Sequence, residues 1–266
     1  MEYLIYEGFD ISGKNCVISG AGGNIGSMLS IKLADLGVNI AALDIDATGL
    51  QKVSQKITRT KSAFLSIRAD LTSSIEVEEA FRKIKDAWGK IDILINCVGT
   101  FGSGKYAEDL SESDWDRDLD INLKSVFLCC QKSGKQMIKH KYGKIINFSS
   151  QAGYDYIKGT PKSTYCIGKS SIIMLTKVLA YEWARYNLYV NAIAPGFIDL
   201  RDDQKGSSEL GKKYSNLEME RINKIPLKRL GNINDLMGAI IFLSSDSSNF
   251  ITGETIKIDG GYTLAI

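Results

Sequence analysis

The chain reads as a single α/β domain, a doubly wound, seven-stranded parallel sheet with helices on both faces. Three observations predict it. Seven short runs rich in β-branched and aliphatic residues alternate with longer stretches of helical period. Several of those runs are apolar at nearly every position, as a strand covered on both faces should be. The 266 residues suffice for one large core, and no linker, repeat or low-complexity tract divides them, so 1–266 is expected to be one domain. Right-handed strand, helix, strand crossovers are the topology that buries such a sheet.

In chain order, the first strand is "NCVISG" at 15–20, followed by a glycine-rich turn and a helix over about 24–36. "VNIAALD" at 38–44 and "AFLSIRA" at 63–69 are the next strands, separated by a helix over 46–59. A helix over 73–88 leads to "IDILINC" at 91–97, and one long helical pattern at 115–140 leads to "GKIINFS" at 143–149. The pattern at 164–187 runs into "LYVNAIA" at 188–194, and a helix at 233–245 precedes the last strand, "ETIKID" at 254–259. One interval breaks the rhythm. "DDQKGSSELGKKYSNLEMERINK" at 202–224 mixes charges, serines and glycines. The stretch 199–225 around it reads either as a mobile lid over the C-terminal edge of the sheet or as an ordinary surface helix.

Charge narrows the partners. With 24% charged residues and a formal net charge of +2, nothing marks a nucleic-acid or anionic-membrane footprint, so a small-molecule substrate is expected. Cys16, Cys97, Cys129, Cys130 and Cys166 lack any CxxC spacing and read as reduced, buried thiols of a cytoplasmic protein. The N-terminal "MEYLIYEGFD" carries acids where a signal peptide needs bases, and no apolar run approaches the ~18 residues of a membrane span. The one histidine, His140, lies in the charged stretch "IKHKYGK". A histidine-based catalytic triad and a histidine-rich metal site are therefore not expected.

The first chemistry-bearing motif is "ISGAGGNIGSMLS", with Gly20, Gly22, Gly23 and Gly26 between the first strand and the first helix. Glycines there let the backbone approach a pyrophosphate, whose charge meets the helix N-terminus. Asp44, 18 residues beyond Gly26 at the end of the second strand, is placed to accept hydrogen bonds from an adenosine ribose and to repel a 2′-phosphate. That favours NAD over NADP; the same aspartate would otherwise be a helix-capping surface residue.

The second motif is "STYCIGKSS" at 163–171. On a helix, Tyr165 and Lys169 share a face, and a nearby ammonium lowers a phenol pKa from about 10 toward neutrality. Taken alone, the pair equally describes a half-buried helix face with a lysine reaching for water.

Together with "INCVG" at 95–99, "INLKS" at 121–125, "FSSQAG" at 148–153 and "APGFI" at 194–198, these motifs make residues 10 to 262 resemble the short-chain dehydrogenase/reductase family. The resemblance implies a Rossmann fold and NAD(P)-dependent interconversion of alcohol and ketone. It implies Tyr165 as catalytic acid/base, Lys169 as the group that tunes it and binds the nicotinamide ribose, and Ser150, not Ser149, as the hydroxyl that orients the substrate. Asn122 would support a proton-relay water. For the cofactor it implies Gly20, Gly22, Asn24, Ile25 and Gly26 at the pyrophosphate and Asp44 with Ile45 at the ribose. Asp70 and Leu71 would lie on the adenine side, Asn96, Val98 and Gly99 at the end of the fourth strand, and Pro195, Gly196 and Ile198 at the carboxamide.

Three residues depart from the family pattern. Asn24 replaces a glycine, an exchange expected to exploit asparagine's tolerance of left-handed geometry; Cys97 replaces an asparagine, and Leu200 a threonine. "LAYEWARYNLYVNAIAPG" at 179–196 is similar to the branch that acts on sugars and sugar acids, gluconate 5-dehydrogenases among them. Ser103, Gln151, Tyr154, Tyr156 and Arg201 are candidate pocket residues, Arg201 equally a solvated rim residue. The alternatives are a 3-oxoacyl-carrier-protein reductase, which usually takes NADPH, and a catalytically silent dinucleotide sensor. The family further implies a homotetramer packed through the helices at 115–140 and 164–187.

Overall fold

The computed structural model describes residues 7–58, 60–156, 161–201 and 214–264. All seven strands pair in parallel: β1 (Asn15–Ser19), β2 (Asn39–Asp44), β3 (Phe64–Arg68), β4 (Ile93–Asn96), β5 (Gly143–Phe148), β6 (Leu188–Pro195) and β7 (Thr255–Ile258). Their order across the sheet is β3-β2-β1-β4-β5-β6-β7. The chain starts in the middle, winds outward to β3, then returns past β1 and winds the other way. Between β1 and β4 the direction of winding reverses, and a crevice opens beyond the C-terminal ends of those strands.

The helices are α1 (Asn24–Asp35), α2 (Ala47–Ile57), α3 (Ser74–Trp88), α4 (Glu112–Leu119), α5 (Ser125–His140), α6 (Ser163–Trp183), α7 (Asn216–Lys224) and α8 (Ile233–Ser244). Successive strand residues feed opposite cores. Ile18, Ile40, Ile95 and Ile146 pack with Leu29 and Leu33 of α1, Val53 of α2 and Leu236 and Ile240 of α8. Val17, Leu43, Leu94 and Ile145 pack with Phe81 of α3, Cys129 and Met137 of α5 and Ile172 of α6. Because both faces are covered, period-2 alternation of polarity is absent from the strands and the runs read as continuously apolar.

Two expectations change. The pattern at 115–140 is two helices joined by a single wide π-helical turn, Asp120–Lys124. Asn122 sits in that turn, and its Nδ2 donates to the Asp118 carbonyl at 2.9 Å. A side chain competing for a carbonyl four residues back is what interrupts an α-helical ladder. α4 also begins earlier than predicted, because Ser111 caps it, accepting from the Asp114 N–H at 3.2 Å. Within the irregular interval, 216–224 is a helix with a full capping box between Ser215 and Glu218; residues 202–213 lie outside the described residues.

Candidate active site

Two glycines shape the turn after β1. Gly20 has φ +75°, and a Cβ there would stand 2.7 Å from the Val98 backbone nitrogen; one on Gly26 would stand 2.1 Å from the Gly20 carbonyl. No side chain fits at either position, so the turn packs against β4 and against α1 only as glycine. Gly23 precedes α1 with no side-chain cap, which leaves the first amides of the helix, from Asn24 and Ile25 onward, without a capping side chain. Asn24 is the first residue of that right-handed helix and is not among the residues of positive φ. The left-handed geometry expected of it is not used.

Asp44 closes the other side of the turn. Its Oδ2 accepts from the Gly22 N–H at 2.8 Å and its Oδ1 from the Asp46 N–H at 2.9 Å. Gly22 is tight for the same reason, since a Cβ would come within 3.0 Å of the Asp44 carboxyl carbon. Beyond lies a cavity of about 400 Å³ bordered by Gly20, Asp44, Ile45, Asp70, Leu71 and Val98. Asp70 is fixed there, its Oδ1 accepting from the Thr72 N–H and hydroxyl at 2.9 and 2.8 Å. Thr72, Arg117, Asp120 and Ile121 also line this cavity and escaped sequence reasoning. The last three come from α4 and its wide turn, whose path over the crevice no periodicity reveals.

Asn96 is placed differently from a cofactor contact. It is fully buried; its Nδ2 donates to Asn147 Oδ1 at 2.9 Å and its Oδ1 accepts from the Ser19 hydroxyl at 2.9 Å. Asn147 in turn donates to Thr176 at 3.0 Å. This side chain ties β1, β4, β5 and α6 together inside the core, and only its backbone remains to border the crevice. Cys97 follows it, partly buried, its thiol pushed up to about 12, chiefly by burial.

Two of the predicted catalytic residues, Asn122 and Lys169, meet at Gly99. A Cβ there would lie 3.1 Å from both Asn122 Oδ1 and Lys169 Nζ, and Asn122 Oδ1 already accepts from the Thr100 N–H at 3.0 Å. Lys169, only 4% exposed, donates to the Phe148 carbonyl at 2.9 Å and lies 5.9 Å from the centre of the Tyr165 ring. The last residue of β5 and the two that follow it divide the work. Phe148 holds the amine, the Ser149 hydroxyl donates to the Lys169 carbonyl at 2.7 Å, and the Ser150 hydroxyl accepts from the Ala152 N–H at 3.1 Å close enough to Tyr165 to act on its phenol.

The electrostatics correct one expectation. Burial drives the Tyr165 phenol above its ordinary value, with the Ser150 hydrogen bond opposing. Burial also drives Lys169 down to about 8, opposed by Cys97. Desolvation is the largest influence on both groups.

Asp118 is the residue that sequence reasoning missed most plainly. It is fully buried and accepts from the Ser103 N–H at 2.9 Å, the Thr164 hydroxyl at 2.8 Å and Arg117 at 3.2 Å. It thus clamps the loop after β4 to the start of α6, one residue from Tyr165. Phe101 on that loop packs over Tyr165, ring centres 5.2 Å apart. The available signal was a carboxylate one helical turn before Asn122.

At the far end, the Gly196 N–H donates to the Ile258 carbonyl at 2.9 Å, Pro195 pairs opposite Ile258 and Ile198 bridges to Gly231. Leu200 is exposed. On the rim, Tyr154 and Tyr156 are exposed, and Tyr154 donates to the Thr255 carbonyl at 3.5 Å. Arg201 forms a fork with Asp199, at 2.8 and 3.0 Å, and approaches Glu218 at 3.4 Å. Its guanidinium is occupied by the rim itself. Among the described residues no group of His, Cys, Asp or Glu is arranged to hold a metal ion, and no helix is long and apolar enough to cross a membrane.

The cleft therefore fits a dinucleotide: one turn that only glycine allows at two positions, a carboxylate beside the cavity, and space at Gly99 beside an amine. Comparison with known proteins agrees. The profile of the family described as enoyl-(acyl carrier protein) reductase matches residues 20–263. An NAD-dependent glycerol dehydrogenase of Listeria innocua is 37% identical over 267 residues, 98% of this chain and all of that one. A 3-oxoacyl-[acyl-carrier-protein] reductase of Thermotoga maritima is 33% identical over 255 residues, 96% of this chain and 99% of that one. The crystal structure of a gluconate 5-dehydrogenase from Burkholderia cenocepacia, in complex with NADP and tartrate, superposes with a TM-score of 0.86 at 28% identity, covering 98% of this chain and 99% of that one.

Proposed function

Because the chain belongs to the short-chain dehydrogenase/reductase family, and so is an NAD(P)-dependent oxidoreductase that interconverts alcohol and ketone, we propose NAD as its preferred cofactor and a small polyhydric or sugar-acid substrate. The observation that carries the cofactor reading is the wall of the adenine-side cavity. Asp44, Asp70 and Asp120 line it, and its one basic lining residue among those described, Arg117, is already paired with Asp114 at 2.9 Å and Asp118 at 3.2 Å. A 2′-phosphate would meet three carboxylates and no free cation. The same wall disfavours the NADPH-dependent acyl-carrier reading. The name of the glycerol dehydrogenase relative supports both NAD and a polyol.

The bound nicotinamide supplies the hydride acceptor or donor. This chain's residues do the rest. Ser150 holds the substrate oxygen, and Tyr165, whose phenol Ser150 influences, takes the hydroxyl proton in oxidation and returns it in reduction. Lys169, anchored on Phe148, sets the charge beside the phenol and faces the crevice at Gly99. Asn122 holds the Thr100 amide and with it the loop over the reacting centre. All four residues being present disfavours a silent sensor.

The assembly we propose is a cytoplasmic homotetramer. Ile167, Met174, Val178 and Tyr181 form an exposed apolar stripe along α6, with Phe127 exposed on α5, and such a stripe is a surface made to be covered. The single domain of 1–266 belongs to the same proposal; the lid expected at 199–225 includes residues 202–213, which lie outside the described residues. The test is a titration of NADH and NADPH against intrinsic fluorescence, followed by a panel of polyols, aldonates and β-ketoesters scored by NAD(H) absorbance. Tighter NADH binding and turnover of polyols or aldonates is expected; tighter NADPH binding with turnover confined to β-ketoesters would reverse the reading.

A further inference from the structure

Gln151 directly follows Ser150 and opens the short 3-10 turn Gln151–Gly153. Its side chain is buried, at 3% exposure. Oε1 is shut off from solvent, yet has no hydrogen-bond partner. That oxygen lies 3.1 Å from where a Cβ on Gly196 would stand, a position the Asp259 Cα already crowds at 2.7 Å, so the glycine is what lets the β6 end pack this close to the amide. An amide acceptor sealed from water without a donor destabilises the fold, while a leucine or methionine of similar volume would carry no such cost. A costly polar group beside the reacting hydroxyls is expected where a ligand completes it. An alcohol hydroxyl, being donor and acceptor at once, satisfies this amide in either orientation. A carboxylate satisfies only its nitrogen.

We propose that the Gln151 carboxamide accepts a hydrogen bond from a substrate hydroxyl other than the one oxidised, making the site selective for polyhydric over monohydric alcohols. This rests on the alcohol-oxidising reading, with Ser150 and Tyr165 at the reacting carbon. The turn that presents the Ser150 hydroxyl also carries the selecting group, so recognition and reaction are held by one rigid segment at the end of β5.

The test compares glycerol with isopropanol, which share a three-carbon skeleton and a secondary hydroxyl and differ in the flanking hydroxyls. In Gln151→Leu, and in Gln151→Met as a second variant, the ratio of kcat/KM for glycerol to that for isopropanol should fall about tenfold or more. NADH affinity should stay within about twofold, and the thermal midpoint should hold or rise because the unsatisfied amide is gone. An equal loss on both substrates, a loss of NADH affinity, or a lowered midpoint would each overturn the proposal, pointing to a positioning, cofactor or structural role. Wild-type protein that oxidises isopropanol as well as glycerol defeats this proposal alone. Wild-type protein that oxidises neither defeats the polyol reading and this proposal with it.

Discussion

Two buried lysines occupy opposite ends of the sheet. Lys144, near the start of β5, and Lys169, anchored at its end, are both pushed down to about 8 by burial. Each has an aromatic neighbour: Lys144 stands 3.9 Å from the centre of the Tyr189 ring and Lys169 5.9 Å from that of Tyr165. The resemblance extends to tyrosines, since burial raises Tyr142 at one end as it raises Tyr165 at the other. What differs is the space around them. Lys144 donates to the Ser248 hydroxyl at 3.0 Å, which is itself bonded to the Leu243 and Ser245 carbonyls. Lys169 borders Gly99, where a single added carbon would close the approach. A displaced pKa reports burial; a site also needs room for a ligand.

The largest expected effect separates the two lysines. Lys169→Met should lower kcat by about a hundredfold or more, whereas Lys144→Met should leave steady-state turnover within about twofold; comparable losses in both would dissolve the distinction. Next comes the space itself. Gly99→Ala should cut kcat/KM by about tenfold to a hundredfold through contact with Asn122 and Lys169, with far-ultraviolet circular dichroism unchanged, and full activity would mean that the crevice is not used there. Asp44→Ala should shift the NAD:NADP ratio of kcat/KM by about tenfold toward NADP; an unchanged ratio would move cofactor choice elsewhere.

The smallest effect is on stability. Burial holds both lysines at about 8 in the folded protein, below the roughly 10.4 of an unfolded chain. Between about pH 8 and 10 the unfolded state binds more protons, so stability should rise with pH over that window. Lys144→Met should flatten the slope in urea titrations; a slope unaltered by the substitution would mean that Lys144 is not desolvated.

Much of this was legible in the sequence because it follows from local rules. The seven strands announce themselves by continuous apolar runs, and the helix holding Tyr165 and Lys169 by its period. The break at Asp120–Lys124 was not, because it depends on an Asn122 amide turning back onto its own helix. Nor was the split between the roles of two buried asparagines: Asn96 and Asn122 look alike in the sequence, yet only the tertiary fold ties one to Asn147 and the other to the Asp118 carbonyl and the Thr100 amide beside Gly99. Asp118 was invisible for the same reason, its partners Ser103 and Thr164 lying far apart in the chain. The direction of the Tyr165 shift also escaped, since spacing reports the helpful ammonium and is silent on desolvation.

The most direct measurement pairs cofactor binding with turnover in Tyr165→Phe, beside Tyr142→Phe as the buried tyrosine from the closed end. The account predicts NADH affinity within about twofold of wild type and kcat lower by about a thousandfold for Tyr165→Phe, with near-normal values of both for Tyr142→Phe. Turnover in Tyr165→Phe within tenfold of wild type, or a loss of NADH binding as large as the loss of rate, would contradict it.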